Sequence, residues 1–270
     1  MPPATASSPV KLAVTTPLRP SPAEEAAARA AATRHGLAFA ARGHRSLEAA
    51  RLAVGADALL VLSARHAALV ADGEERRWSP GMGALRAKRV AAGAAGGPPD
   101  PFLAATGIGA GDAVLDCTLG LGADALVAAV AVGPTGRVVG LEASPALAAW
   151  VAEGLARDRH PAARRVEVRA AEHAAALAAL PPRSFDVVVF DPMFRHARAE
   201  PGGFDVVRRL AEARPLEPAA IEAARRVARR WVVVKDGAPG WDLARLGLVP
   251  LPSARGAHRY YARVPPALIP

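Results

Sequence analysis

A glycine-rich turn between a short apolar run and an alanine-rich segment constrains this chain more than any other feature. Residues 112–124 are Asp-Ala-Val-Leu-Asp-Cys-Thr-Leu-Gly-Leu-Gly-Ala-Asp. The apolar run ends at an acid, Asp116, and two glycines, Gly120 and Gly122, precede the alanine-rich segment. Glycine lets a backbone approach a ligand closely, and a helix N-terminus offers unpaired N–H groups. The pattern therefore predicts a strand, a tight turn and a helix that together bind a nucleoside.

Two cofactor classes are compatible with this turn. Gly120, Gly122 and Ala125 satisfy the dinucleotide pattern G-x-G-x-x-A, and Glu142 follows about 20 residues later, as that pattern requires. Asp116 favours a different ligand, because a carboxylate repels a diphosphate but pairs with the ammonium group of S-adenosylmethionine. We predict S-adenosylmethionine as the cofactor, with a dinucleotide or a turn without ligand as alternatives.

Different residues are predicted to contact different parts of the cofactor. Asp116 and the glycine backbone would hold the methionine end, Glu142 the ribose hydroxyls and Glu172 the adenine. Asp124 lies in the first helical turn, where an acid either contacts the ligand or interacts favourably with the helix dipole. The predicted cofactor residues are Asp116, Thr118, Gly120, Gly122, Asp124, Glu142, Ala143 and Glu172.

The charge of the chain is compatible with an anionic partner such as RNA. Formal net charge is +9, yet only three residues are lysine, so nearly all the positive charge is arginine. Residues 1–100 hold 13 Lys or Arg against 8 Asp or Glu, and residues 101–270 hold 21 against 17. Binding to RNA and a compositional bias of the whole chain both explain this charge.

Cysteine content and hydropathy exclude several protein classes. The single cysteine, Cys117, allows neither a disulfide framework nor a cysteine metal cluster within the chain, and we predict a small buried side chain there. No signal peptide is apparent, and no apolar run reaches the roughly 18 residues of a membrane span. We expect a cytoplasmic protein with no membrane partner and no metal.

The chain divides into two α/β regions. We predict a disordered tail over residues 1–9, a small basic α/β domain over 10–92 and a Gly/Pro-rich linker over 93–101. From 102 to 270, strands alternate with helices, which is typical of a doubly wound parallel sheet, the Rossmann-like fold of class I methyltransferases. We expect residues 248–251 and 258–264 to close the chain as an antiparallel pair.

A second motif follows the predicted strand 185–190 and points to an amine substrate. In Asp191-Pro192-Met193-Phe194, the Asp191 carboxylate and the Pro192 carbonyl can accept hydrogen bonds from an exocyclic amine, and Phe194 can stack on a base. The alternative is a rigid turn with a core phenylalanine. Met193 and Arg195 are further candidate substrate contacts.

Basic side chains elsewhere are candidates for contact with RNA phosphate. Arg86, Lys88 and Arg89 form a short basic helix that either meets phosphate or is a solvated face. Lys235, at the end of the predicted strand 231–234, either binds phosphate or pairs with Asp236 or Asp191.

Three motifs together resemble one enzyme family. They are Leu115-Asp116-Cys117-Thr118-Leu119-Gly120-Leu121-Gly122-Ala123-Asp124, Phe190-Asp191-Pro192-Met193-Phe194 and Val232-Val233-Val234-Lys235-Asp236. The chain resembles the RsmJ-type methyltransferases over residues 80–262, and most of all the branch of that family found in Gram-positive bacteria, which shares Val14-Thr15-Thr16.

The resemblance implies a reaction and a site. The reaction is methylation of the exocyclic N2 of a guanine in small-subunit ribosomal RNA. The implied cofactor contacts are Asp116, Gly120, Gly122, Asp124 and Glu142, and the implied base contacts are residues 191–194. The front region differs from that of the characterised rRNA enzymes, and Met193 stands where amine methyltransferases more often have a second proline. Three alternatives stay open: a methyltransferase of a small molecule or a protein, a non-catalytic RNA-binding module and a nicotinamide oxidoreductase.

Overall fold

The first unit is a five-stranded sheet with two helices. A computed structural model describes residues 10–93, 99–192, 210, 214–252 and 258–268. The elements of this unit are β1 (Leu12–Thr15), α1 (Pro22–Arg34), β2 (Ala38–Phe39), α2 (Leu47–Ala53), β3 (Ala58–Leu62), β4 (Ala67–Ala71) and β5 (Glu74–Arg77). The strand order is β2-β1-β3-β4-β5, in which β2, β1 and β3 are parallel and β4 and β5 are antiparallel to their neighbours.

The second unit is a six-stranded sheet with helices on both faces. It is preceded by α3 (Met82–Ala91). Its elements are α4 (Pro101–Thr106), β6 (Ala113–Asp116), α5 (Ala123–Ala131), β7 (Arg137–Glu142), α6 (Pro145–Arg157), a 3-10 helix (Pro161–Arg165), β8 (Val166–Ala170), α7 (His173–Ala179), β9 (Phe185–Phe190), α8 (Pro218–Val227), β10 (Ala228–Gly237), α9 (Trp241–Arg245) and β11 (Arg259–Val264). The order is β11-β10-β9-β6-β7-β8, parallel except for β11. The predicted doubly wound α/β fold is confirmed.

The end of the chain differs from the prediction. β11 pairs with β10 over six residue pairs and makes no strand with residues 248–251. Leu251 in the latter segment donates its N–H to the Tyr261 carbonyl of β11 at 2.7 Å, and Leu248 N–H donates to the Leu243 carbonyl at 2.9 Å. The predicted pairing was wrong because β10 offers β11 an unpaired strand edge along residues 232–237, whereas residues 248–251 meet β11 through the Leu251 hydrogen bond.

The predicted linker contains the start of a helix. Asp100 accepts hydrogen bonds from Phe102 N–H and Leu103 N–H, so it caps α4, with Pro101 at the first helical position. Residues 94–98 of the linker and the predicted tail over 1–9 lie outside the described residues.

The two sheets share one hydrophobic core through α6. Buried side chains of both units belong to a single cluster. The Trp78 ring lies so close to Gly154 that a Cβ there would fall 2.2 Å from the ring, and Trp150 Nε1 donates to the Ala67 carbonyl at 3.3 Å. Glu153 accepts from Arg34 at 2.6 Å and contacts His35 at 2.9 Å. The domain boundary that the sequence predicts at residues 93–101 remains a prediction.

Helix α3 packs against the start of α5. A Cβ at Gly83 would lie 2.7 Å from the Ala123 Cα, so only glycine permits this approach. The contact places α3 beside the glycine-rich turn. Within the described residues, no helix has the length and apolarity needed to cross a membrane.

Candidate active site

The glycine-rich turn lies at the carboxyl end of β6, as predicted. Gly120 has φ +51° and Gly122 has φ +78°, in the left-handed region that glycine adopts without strain. Gly122 is the N-cap of α5, and the cap has no side-chain hydrogen bond. Leu119 packs on the neighbouring strand, where a Cβ at Gly140 would lie 2.5 Å from Leu119 Cδ1. The N–H groups of Thr118, Leu119, Gly120 and Gly122 donate to acceptors within the fold, so it is the first turn of α5 that presents backbone N–H groups to a polar ligand.

Asp116 is a buried acid with one oxygen still able to accept hydrogen bonds. It is 5% exposed, and Thr118 N–H donates to its Oδ1 at 3.1 Å. Burial raises the pKa of Asp116 to about 7, because the low-dielectric surroundings disfavour the carboxylate. No described residue donates a hydrogen bond to its Oδ2. This position fits the ammonium group of an amino-acid ligand, which would stabilise the charged carboxylate.

Glu142 is fixed between the turn and α6. Gly120 N–H donates to its Oε2 at 3.2 Å, and Ser144 N–H donates to its Oε1 at 3.0 Å. Ala143 lies between them in a half-buried bend. The carboxylate is thereby oriented at the carboxyl end of β7, where ligands bind in doubly wound sheets.

Glu172 lies two residues beyond β8, at the same edge of the sheet. It is the N-cap of α7, and its Oε2 accepts from Ala175 N–H at 3.1 Å. Although partial burial opposes ionisation, the hydrogen bonds from this cap lower the pKa of Glu172. The structure thus gives it a capping role at the position predicted for adenine binding.

A network of buried charges joins α3, α5, β9 and β10. Lys235 Nζ lies 2.7 Å from Asp124 Oδ2 and 2.5 Å from Asp191 Oδ2. Arg86 lies 2.5 Å from the other Asp124 oxygen and 2.7 Å from Asp100. Burial alone would lower the pKa of Lys235, but the two carboxylates raise it on balance. Asp124 is therefore neutralised by two cations.

This network decides between the interpretations of several predicted residues. Lys235 pairs with Asp191, and not with Asp236, whose carboxylate accepts from the N–H groups of Asp242 and Leu243. Arg86 is committed to two carboxylates inside the fold. Lys88 and Arg89 are exposed, and they are the members of the predicted basic helix that face solvent.

Asp191 is tied to the turn by its backbone. Its N–H donates to Thr118 Oγ1 at 2.5 Å, so Thr118 links the ends of β6 and β9. Burial raises the pKa of Asp191, and although Lys235 opposes this, the net shift is upward. Pro192 is half-buried beside it. Met193, Phe194 and Arg195 lie outside the described residues, so their roles stay predictions.

Two further residues of the network were not predicted. Asp100 forms an ion pair with Arg86. Its position directly before Pro101 is typical of a helix N-cap, so the sequence could have predicted the cap. Tyr261 is directly opposite Lys235 in the β10–β11 pair, so their side chains share a face of the sheet. Burial raises the pKa of Tyr261 to about 12. No sequence signal identified Tyr261, because its strand had been assigned another partner.

Comparisons with known proteins agree with this geometry. The model of a family described as "Putative SAM-dependent methyltransferase" matches residues 84–245. The protein YpiP of Bacillus subtilis (strain 168) is 34% identical over 229 residues, which cover 83% of this chain and 88% of YpiP. The crystal structure of the SAM-dependent methyltransferase NGO1261 from Neisseria gonorrhoeae has a TM-score of 0.63 and 23% identity, covering 94% of this chain and 95% of that chain. The chain belongs to the SAM-dependent methyltransferase family, and its cofactor is S-adenosylmethionine.

Proposed function

We propose that this methyltransferase acts on the exocyclic N2 of a guanine in small-subunit ribosomal RNA. The observation that carries the proposal is the position of Asp191 and Pro192 at the end of β9, next to the glycine-rich turn and joined to it through Thr118. A carboxylate followed by a proline carbonyl at this place can accept both N–H groups of a primary amine.

The residues of the chain position the amine and accept its proton. When bound, S-adenosylmethionine supplies a methyl group on a sulfonium that is already a good leaving group. Asp191 and the Pro192 carbonyl aim the amine lone pair, which lowers the barrier by orientation. The nitrogen gains one carbon and releases one proton. The Asp191 carboxylate, whose pKa burial raises, accepts that proton.

The cofactor contacts follow from the same edge of the sheet. Asp116 would bind the ammonium of the methionine end, and the first N–H groups of α5, directly after the glycine-rich turn, would bind its carboxylate. The Glu142 carboxylate, which Gly120 N–H and Ser144 N–H orient at the end of β7, would accept hydrogen bonds from the ribose hydroxyls. Glu172 would lie near the adenine. Asp124 would act through Lys235 and Arg86 rather than by touching the ligand.

Charge and resemblance favour RNA over a small molecule or a protein as the substrate. Residues 1–100 carry an excess of positive charge, and the motifs at Asp116, Asp191 and Lys235 resemble those of the RsmJ-type enzymes. Phe194 is the predicted stacking partner of the target base.

The test is transfer of labelled methyl to ribosomal RNA purified from a strain that lacks the gene, followed by nucleoside analysis for N2-methylguanosine. Wild-type protein should label the small-subunit RNA at one guanine. Asp191→Ala should bind S-adenosylhomocysteine as the wild type does but lose transfer, whereas the exposed control Glu74→Gln should retain both. Label in a protein or small metabolite instead of RNA would refute the proposal, and unchanged turnover in Asp191→Ala would refute the base-site assignment.

A further inference from the structure

Several cations lie in the loops at one edge of the first sheet. The loops that follow β1, β2 and β3 meet at one edge, because these three strands are parallel. These loops, residues 16–21, 40–46 and 63–66, are called the basic edge. Their ionisable side chains are Arg19, Arg42, His44, Arg45, Arg65 and His66. The opposite edge holds the acids Asp57, Asp72, Glu74 and Glu75 together with the cations Lys11 and Arg51.

Hydrogen bonds join the three loops into one surface. Arg42 Nη1 donates to the Thr16 carbonyl at 3.5 Å, which connects the loops after β1 and β2. Ala64 N–H donates to Glu24 Oε1 at 3.1 Å, which connects the loop after β3 to the first turn of α1. Since α1 begins directly after the first loop, the basic side chains lie on a continuous surface.

The cations of the basic edge are not neutralised by the fold. Arg19, Arg45 and Arg65 are exposed, and none of them forms an ion pair within the part of the chain that the structure describes. The nearby acids Glu24 and Glu48 have partners other than these three arginines. Glu24 accepts from Ser21 and Ala64, and Glu48 pairs with Arg51 at 2.6 Å. The positive charge therefore faces solvent.

We infer that the basic edge binds the phosphate backbone of the RNA substrate, an inference that rests on the proposed function. Guanidinium groups match phosphate oxygens in a two-pronged geometry, and such contacts supply most of the sequence-independent affinity for nucleic acid. A membrane surface is less favoured, because interfacial binding needs a buried apolar face. Of the large apolar side chains that the described residues expose, Leu18 alone lies in these loops.

The position of the basic edge sets the size of the substrate. Helix α6 begins beside Glu142 at the cofactor edge, and Arg157 in its last turn donates from Nε to the Ser63 carbonyl at 2.8 Å. Thirteen residues at 1.5 Å per residue separate the two sites by about 20 Å. That span corresponds to about six stacked nucleotides at ~3.4 Å each. The substrate is thus an extended or folded RNA, and nucleosides or dinucleotides would reach only one of the two sites.

The test compares two variants with equal loss of charge in the full chain. Arg45→Gln/Arg65→Gln removes two cations from the basic edge, and Lys11→Gln/Arg183→Gln removes two exposed cations elsewhere. Binding to small-subunit ribosomal RNA is measured across salt concentrations, with methyl transfer to the same RNA in parallel. In the basic-edge variant, a plot of the logarithm of the RNA association constant against the logarithm of salt concentration should be less steep, its slope smaller in magnitude by about 1.4 to 1.8. Binding at 0.1 M salt should be about 10-fold weaker or more. The control should keep the wild-type slope.

Each outcome separates this inference from the proposed function. If the wild type methylates guanine while both variants bind RNA equally, the basic edge is refuted and the function stands. If the edge variant alone loses salt-dependent RNA binding but no guanine is methylated, the function fails and the RNA surface stands. If the wild type binds phosphatidylserine vesicles through Arg45 and Arg65 and does not bind RNA, the inference is overturned. Unfolding midpoints of the two variants show whether both are folded.

Discussion

The ammonium of Lys235 lies 2.5 Å from the Asp191 carboxylate, at the edge of the sheet where β9 and β10 end. The same ammonium is 2.7 Å from Asp124 on α5. One cation therefore connects the helix beside the cofactor turn to the acid proposed to orient the substrate amine. Because Lys235 and Asp124 are buried and Asp191 is half-buried, the charge state of each depends on the others.

Replacing Lys235 should move the pH dependence of the reaction. In Lys235→Met, the Asp191 carboxylate keeps its desolvation but loses the cation that lowers its pKa, so that pKa rises further. Since the ionised acid is the active form, activity at low pH falls first, by up to the ~100-fold typical of a lost proton acceptor. The measurement is kcat/KM from pH 5.5 to 9.

The conservative variant gives the control. Lys235→Arg keeps the positive charge. The fall of kcat/KM at low pH should therefore occur near the same pH as in the wild type, even if the rate of this variant is lower. If Lys235 had only a structural role, Lys235→Met would lower the rate equally at every pH. That result would contradict a role of Lys235 in controlling the ionisation of Asp191.

Replacing Asp116 should stabilise the protein and weaken cofactor binding. The pKa of Asp116 is about 7 in the folded state and about 3.9 in an unfolded chain. Between these values the folded state binds more protons, so the free energy of unfolding falls as pH rises through this window, by about 4 kcal/mol in total. Asp116→Asn removes this loss, and the variant should be more stable than the wild type at pH 8 and nearly equal at pH 4.

Urea denaturation without cofactor at the two pH values measures the difference, with Glu74→Gln as an exposed control. Calorimetric titration of Asp116→Asn with S-adenosylhomocysteine should show weaker binding, because the ammonium loses its carboxylate. A variant that is no more stable at pH 8 would show that Asp116 is ionised at little cost in the folded protein.

The close approach of α3 and α5 gives a packing prediction. In Gly83→Ala, the new Cβ meets Ala123 backbone atoms at 2.7 Å, so α3 must move away. We expect a loss of about 1 to 3 kcal/mol in the free energy of unfolding. A weaker cofactor affinity should accompany it, since Arg86 would move from Asp124.

Gly109→Ala is the matched control, because a Cβ there meets nothing within 4 Å and the backbone is not left-handed. Its stability should stay within about 0.5 kcal/mol of the wild type or rise slightly. Equal losses in the two variants would show that the α3–α5 contact is not the cause.

Local pattern alone determined much of the secondary structure. The strands Ala58–Leu62 and Ala67–Ala71 begin and end where continuous apolar runs meet turn residues, and Phe185–Phe190 is apolar apart from Asp186. Helix α6, Pro145–Arg157, follows the cap Ser144 with proline at its first position. Such signals lie within a few residues of the element they define, so the sequence by itself sufficed, as it did for the glycine-rich turn after Asp116.

The tertiary structure decided which distant groups meet. Lys235 and Asp124 are 111 residues apart, and Arg86 and Asp124 are 38 apart, so no local spacing predicted their contacts. Tyr261 joined the network only because β11 pairs with β10 and not with residues 248–251. Strand order and helix packing fix these neighbours, and both depend on the burial of whole surfaces rather than on any one segment. The sequence therefore determined the cofactor turn, whereas the fold set the charges around Asp191, the proposed proton acceptor.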